Sequence, residues 1–376
     1  MKNTAILTVL YIIFLQNGVF AQIGLSLETE SGYASNSFAN YRMLPDYYFY
    51  LSSRVTYDRI AGSHGFRAFY KGYLNTYKVY RDRNFSDHTI GLTVFKNLTK
   101  YKLNAGIQGS GRYFGDSYRW YERRQLYAYV NMKAVLFDQL YGYAGINIRL
   151  KDYPYLQPFS HWQNVWFIRL SRFFDTGTTV IAESDLLLKE YVPENTMDSV
   201  DELPEIVTLG DGGSQQWVAL IRGAQSLTSK TGVNAQLLLR RNIKSSVRYM
   251  GSMSGVYYSD EELFDDIFGY NAEQFSLTLR QMLPWRTKLS LGSTWIDKKY
   301  DKRLALDLDG TPYPDGRLRS DRRWIHWISI EKSLSVLSTQ QPVIFSVDWT
   351  LLHNNSNDPF YDYSSNYFTF GISQNF

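Results

Sequence analysis

Apolar and polar side chains alternate one by one along most of this chain, in stretches of about ten to seventeen residues. From Tyr101 to Tyr113 the odd positions are Tyr101, Leu103, Ala105, Ile107, Gly109, Gly111 and Tyr113. The even positions are Lys102, Asn104, Gly106, Gln108, Ser110 and Arg112. Side chains alternate across a β-strand, so one face is apolar and bracketed by tyrosines while the other is polar or bare. Residues 139–152 set Leu140, Ala144, Ile146, Ile148 and Leu150 against Tyr141, Tyr143, Asn147, Arg149 and Lys151. Residues 231–245 set Val233, Ala235, Leu237 and Leu239 against Asn234, Gln236, Arg240 and Lys244. The same reading predicts strands near 23–32, 47–58, 65–77, 88–98, 101–113, 121–136, 139–152, 159–173, 176–190, 214–227, 231–245, 271–283, 286–300, 322–335, 342–353 and 365–376.

The stretches between them alternate short and long. Short ones include 97–100, 137–139, 174–177, 228–230 and 284–285; long ones include 33–45, 78–87, 191–213, 246–270, 301–321 and 354–364. A soluble β-sandwich has no reason for that asymmetry, whereas a membrane barrel has short periplasmic turns and longer outer loops. Hydrocarbon offers no partner to a free amide, so every strand must be paired and the sheet must close. The expected fold is therefore all-β, a transmembrane antiparallel up-and-down barrel of about sixteen strands. An even number returns both ends of the barrel to the same side.

Composition fits. The chain has 31 Tyr, 22 Phe and 9 Trp but 10 Pro, a balance suited to strands. No stretch after the first twenty residues approaches the ~18–20 apolar residues of a membrane helix. Lys2, the apolar run from Ala5 to Leu15, and Val19-Phe20-Ala21 read as an export signal cut after Ala21, leaving 22–376 as one barrel domain. Cysteine is absent, which excludes disulfides, thiolate metal sites and an N-terminal lipid anchor.

The final segment carries the most specific local pattern. Phe368, Phe370, Ile372 and Phe376 share one face, with Thr369, Gly371 and Ser373 on the other. It resembles the last strand of Gram-negative outer-membrane β-barrels, a porin-like and export-barrel class without one assigned family. That resemblance implies an integral outer-membrane location, recognition of those four residues by the barrel-assembly machinery, and contact with outer-membrane lipid and lipopolysaccharide. No plug domain is expected ahead of the first strand, which argues against a TonB-dependent receptor, and no helical repeat array suggests a fused export barrel.

The polar face of each strand gives the candidate lumen. Its basic members are Arg54, Arg67, Lys71, Lys102, Arg112, Arg123, Lys133, Arg149, Lys151, Arg169, Arg240, Lys244, Arg280 and Lys288. Its acidic members are Glu28, Glu30, Asp58, Glu183, Asp185, Glu331 and Asp348. Such an excess either favours anions by focusing potential in a narrow passage or pairs off across the wall and merely keeps it wet. Tyr48, Tyr50, Tyr73, Tyr127, Tyr129, Tyr141 and Tyr143 face the same way, either filling space or offering rings to a ring-bearing solute. Parity is ambiguous in 159–173, 214–227 and 322–335.

The long loops are acidic. Residues 191–213 hold Glu194, Asp198, Asp201, Glu202, Glu205 and Asp211, and 259–266 hold Asp260, Glu261, Glu262, Asp265 and Asp266. Their spacing fits no calcium loop, so solvated charge is expected over a cation site. His353 with Asn354, Ser356 and Asp358 is the one cluster a hydrolase could use, and residue types alone do not make a triad. No enzyme, cofactor, metal or nucleic-acid chemistry is expected. The leading expectation is a channel for small polar solutes, with an anion bias as one form of it, its bore set by inward folding of 191–213, 246–270 and 302–321. The alternatives are the barrel of a multiprotein export or surface-assembly machine, with periplasmic or inner-membrane partners, and a structural barrel whose outer loops bind ligands.

Overall fold

The computed structural model describes residues 21–192, 206–210, 212–250, 261–335 and 341–376. The strands in chain order are β1 (Ala21–Ala34), β2 (Asp46–Ala61), β3 (His64–Tyr77), β4 (Phe85–Asn97), β5 (Tyr101–Phe114), β6 (Arg123–Phe137), β7 (Leu140–Asp152), β8 (His161–Phe173) and β9 (Thr178–Tyr191). They continue with β10 (Ile206–Leu209), β11 (Ser214–Ser226), β12 (Thr231–Lys244), β13 (Val247–Met250), β14 (Tyr270–Leu283), β15 (Thr287–Leu304), β16 (Leu318–Leu334), β17 (Val343–Ser356) and β18 (Tyr363–Asn375). All but β10 and β13 form one closed antiparallel ring in chain order, β1 pairing with β18. That makes sixteen wall strands, the number read from alternation. Among the described residues no helix is long and apolar enough to cross a membrane.

The ring is sealed by backbone bonds between its first and last strands. Register runs from Ser26 opposite Asn375 to Ala34 opposite Tyr367. The Phe376 amide donates to the Leu25 carbonyl at 2.7 Å, and the Leu25 amide donates in return to the Phe376 carbonyl at 3.3 Å. No edge is left to hydrate, which is what hydrocarbon requires of a sheet.

Turns on one rim are tight, at 62–63, 98–100, 138–139, 174–177, 227–230 and 284–286. Gly62 stands at φ +60° in the turn after β2, where a side chain would be strained. Connections on the other rim are longer, and β10 with β13 forms a separate two-stranded sheet there. Two expectations shift. The hairpin of β15 and β16 stands higher than expected, so the loop expected over 302–321 shrinks to 305–317, with the Ala305 amide bonded to the Arg317 carbonyl at 3.0 Å. The segment Asn354–Asp358, expected as open loop, begins as the buried end of β17, where the Asn354 amide donates to the Tyr361 carbonyl at 2.6 Å.

The outward face is a continuous apolar band. Ile90 and Ile168 are 69% and 65% exposed in the isolated chain, and Val130, Trp166, Ile221 and Phe275 share the pattern. An exposed band of this extent around a closed ring marks a lipid-facing wall. Burial is concentrated instead at the long-loop rim, where Tyr118, Tyr121, Tyr153, Leu156, Phe159, Met250, Leu263 and Phe264 form one cluster.

Candidate functional site

The inner face follows from register, since each strand turns the residues opposite its lipid row inward. Lys102 stands opposite Lys133 across β5 and β6, Arg112 opposite Arg123, and Arg54 opposite Lys71 across β2 and β3. Several of these cations rest on rings. Lys133 Nζ lies 4.1 Å from the Tyr141 centroid, Lys71 Nζ 4.4 Å from Tyr73, Lys102 Nζ 5.3 Å from Phe95, and the Arg54 guanidinium 5.5 Å from Phe69. The Arg149 guanidinium is 5.9 Å from Tyr127 and reaches Gln163 Oε1 at 3.5 Å. A π-face attracts the cation without cancelling its charge.

Other cations are neutralised. Arg67 pairs with Asp58 at 2.6 Å, Arg112 with Asp87 at 3.2 Å, Lys288 with Glu331 at 2.7 Å, and Arg169 with Glu183. Arg240 donates to Gln216 Oε1 at 3.1 Å, and Arg280 lies on the inner face of β14 between Gly232 and Ser290. The wall thus holds both arrangements weighed from sequence: cations on rings along β2 to β7, with the Arg67–Asp58 and Arg112–Asp87 ion pairs among them, and further ion pairs between β8 and β9 and between β15 and β16.

Tyrosines line the same surface. Tyr48 is bonded to Thr369 at 2.6 Å and Tyr129 to Thr93 at 3.0 Å. Tyr127 lies beside Tyr129 with centroids 5.8 Å apart, Tyr50 beside Tyr73 at 5.6 Å, and the Tyr143 ring is 5.8 Å from the Arg169 guanidinium. A Cβ on Gly106 would stand 2.5 Å from the Tyr129 ring, so that ring lies along the wall across the neighbouring strand.

The long loops carry what alternation could not reveal. A short helix α1 (Glu261–Phe264) and the residues after it fold into the mouth. Asp265 accepts from Lys298 Nζ at 2.6 Å and from the Tyr300 hydroxyl, and Asp266 from Lys189 Nζ at 2.5 Å. All are inner-face or loop groups, and both ion pairs are almost wholly buried. Arg319, fully buried, donates to Asp321 at 2.5 Å and stacks on Tyr361 at 3.4 Å. Phe268 packs against Leu187, Val218 and Val247 beneath the loop.

Phe264 spans the ring. Its side chain meets Tyr121, in the connection between β5 and β6, at 6.3 Å between centroids. Its carbonyl accepts from Arg303 Nη1 of β15 at 2.5 Å, and Arg303 also donates to the Tyr361 hydroxyl at 2.7 Å. One way round, β7, β8, β9, β11, β12 and β14 lie between these anchors; the other way, β4 to β1 and β18 to β16. The loop therefore bridges opposite sides of the mouth.

Electrostatics fix this bridge. Burial alone would push the Asp265 carboxyl up, but Lys298 and Arg319 beside it, with Arg323 beyond, outweigh that and hold it well below the usual carboxylate range. Burial pushes Asp358 up, an effect partly offset by Arg319.

These findings correct the loop-charge expectation. Asp265 and Asp266 are not solvated; buried and paired with Lys298 and Lys189, they anchor the bridge. Among the described residues no group of three or more His, Asp or Glu is placed to hold a metal ion. Asp260, Asp211 and the acids of 194–205 lie outside the described residues, as do the side chains of Glu261 and Glu262. The His353 cluster does not assemble. Asn354, Ser356 and Asp358 are buried, while His353 is exposed on the outer wall with Nδ1 2.7 Å from Ser364 Oγ. Phe368, Phe370 and Phe376 are exposed outward at the seam. Lys189, Arg222, Lys298 and Arg323, absent from the sequence-based set, belong to the inner face by register.

A closed sixteen-strand ring with a bridged mouth can be compared directly with solved barrels. Its fold is theirs. The chain superposes on OccK5 (OpdH) of Pseudomonas aeruginosa with a TM-score of 0.52 at 11% identity, covering 94% of this chain and 98% of that one. OccK8 (OprE) of the same organism gives 0.50 at 11%, covering 95% and 98%. The outer membrane protein OprD from that organism gives 0.50 at 10%, covering 95% and 93%. At these identities the likeness is one of architecture. No protein-family model matches the chain, and no curated protein does.

Proposed function

We propose that this chain is an outer-membrane channel for small polar solutes, with a mouth gated by the loop between β12 and β14. The observation that carries the reading is the opposition of the two faces of one sealed wall: a lipid band outside, and rings, amides and charges inside. A sixteen-strand ring is wide enough for an aqueous path. The bridge from Tyr121 through Phe264 to Arg303 lies across that path and supports gating. The same shape is that of a protein named, in its solved structure, an outer membrane protein.

On this reading the residues up to Ala21 are an export leader, and Phe368, Phe370, Ile372 and Phe376 are read by the barrel-assembly machinery. Lipopolysaccharide surrounds the long-loop rim. No catalytic role is assigned. The cation-on-ring surface along β2 to β7 gives the passage a preference for anions.

Planar-bilayer recording on the purified protein tests the proposal. The wild-type channel conducts in brief openings, and Asp265→Asn lengthens them. Absence of current from both proteins, with co-purifying periplasmic or inner-membrane partners, would replace the channel by the export-machine reading.

A further inference from the structure

Below the bridge, the wall of β6 to β9 holds a recess of about 420 Å³ that opens to the lumen. That is within the range of small-molecule sites, about 300–1,000 Å³. Its aromatic members are Tyr127, Tyr129 and Phe167. Tyr129 lies across Gly106, and Phe167 lies across Gly145, where a Cβ would stand 2.7 Å from its ring. Both rings are laid along the wall, a posture that turns a flat face to a solute.

The polar members are supplied in a particular balance. Arg169 is already tied to Glu183. Arg149 is not part of the lining; it stands behind the Tyr127 ring and reaches Gln163. Asp185 Oδ1 is buried without a hydrogen-bond partner among the described residues. Asn131 gives its oxygen to Asn104 at 3.0 Å, which turns its amide donors elsewhere, and Asn147 lines the recess beside it. An anion would face Asp185 and Glu183, and a cation would face Arg169. A neutral solute with several hydroxyls suits every group: hydroxyls donate to Asp185, amide N–H groups donate to hydroxyl and ring oxygens, and C–H faces stack on Tyr129 and Phe167.

Resting on the channel reading for its setting, we propose that this recess is a binding site for neutral sugar rings on the path through the barrel. Maltose is the probe. Calorimetry on the detergent-solubilised full chain gives millimolar affinity for maltose and none for arginine or succinate. Tyr129→Ala and Asp185→Asn each weaken maltose binding about tenfold, while Tyr129→Phe retains most of it. Heat-modified gel mobility confirms that each variant is a folded barrel. Equal maltose affinity in the wild type and both alanine and asparagine variants overturns the site, as does binding of arginine or succinate in place of maltose. In bilayers, maltose interrupts the wild-type current. Maltose binding without conductance sinks the channel and spares the site; conductance without maltose binding does the reverse.

Discussion

Lys298 donates to the Asp265 carboxylate at 2.6 Å, with 5% of one side chain and 7% of the other exposed. The lysine belongs to the barrel wall and the aspartate to a loop, so this one pair ties the mouth's bridge to its frame. A buried pair contributes little over an apolar substitute, but breaking it leaves a bare buried charge at a cost of about 3–5 kcal/mol. Asp265→Ala therefore releases the bridge while the ring stays closed. Expected outcomes are longer openings in bilayers and faster proteolysis within 245–269, with heat-modified mobility unchanged.

The pH dependence has a definite sign. The Asp265 carboxyl is held below its ordinary value, so its contribution is complete above the unfolded value of about 4 and declines as pH falls further towards the folded value. Open time is flat from about pH 7 to pH 5 and rises only below about pH 4. Asp265→Asn abolishes that rise; an unchanged rise in the variant would assign it to another carboxyl.

Phe264 supplies the apolar half of the bridge through Tyr121. Phe264→Ala removes packing worth about 3–5 kcal/mol in a full core and less at a rim. Hydrogen exchange should quicken in 261–269 and in 115–122 together, because each buries the other. Exchange confined to one of them would deny the bridge.

Lys102 and Lys133 stand opposite one another, each on an aromatic ring and with no carboxylate in ion-pair range among the described residues. Replacing both by Gln should shift the reversal potential towards cations, by about twofold in permeability ratio. An unmoved potential would remove the anion preference.

The two faces of the wall at β7 and β8 make a direct test of orientation. Ile168→Arg places a charge on the lipid side, costing about 2–4 kcal/mol near mid-membrane. Asn147→Arg on the inner side of β7 costs far less. Urea unfolding in lipid vesicles compares them; similar losses would contradict the assigned faces.

The wall was legible because alternation in strands such as β5 and β7 records lipid on one side and water on the other. The signal failed where water is absent from both. Val218 in β11 packs beneath Phe268, so that strand is apolar inside as well as out, and Arg222 was lost with its parity. Ile325 and Trp327 blur β16 in the same way, hiding Arg323. The bridge left no local trace at all. Lys189 and Asp266 are 77 residues apart, and an aspartate in a long acidic loop looks identical whether it is hydrated or buried beneath a distant lysine.

The seam between β1 and β18 also sets a timetable. Ser35 and Asn366 are bonded across 331 positions of sequence, and no nearer strand can stand in for either partner. Until the final hairpin is delivered, every earlier strand belongs to an open ribbon with two sticky margins. Such a ribbon must be escorted from synthesis to membrane, and insertion and circularisation become a single late event.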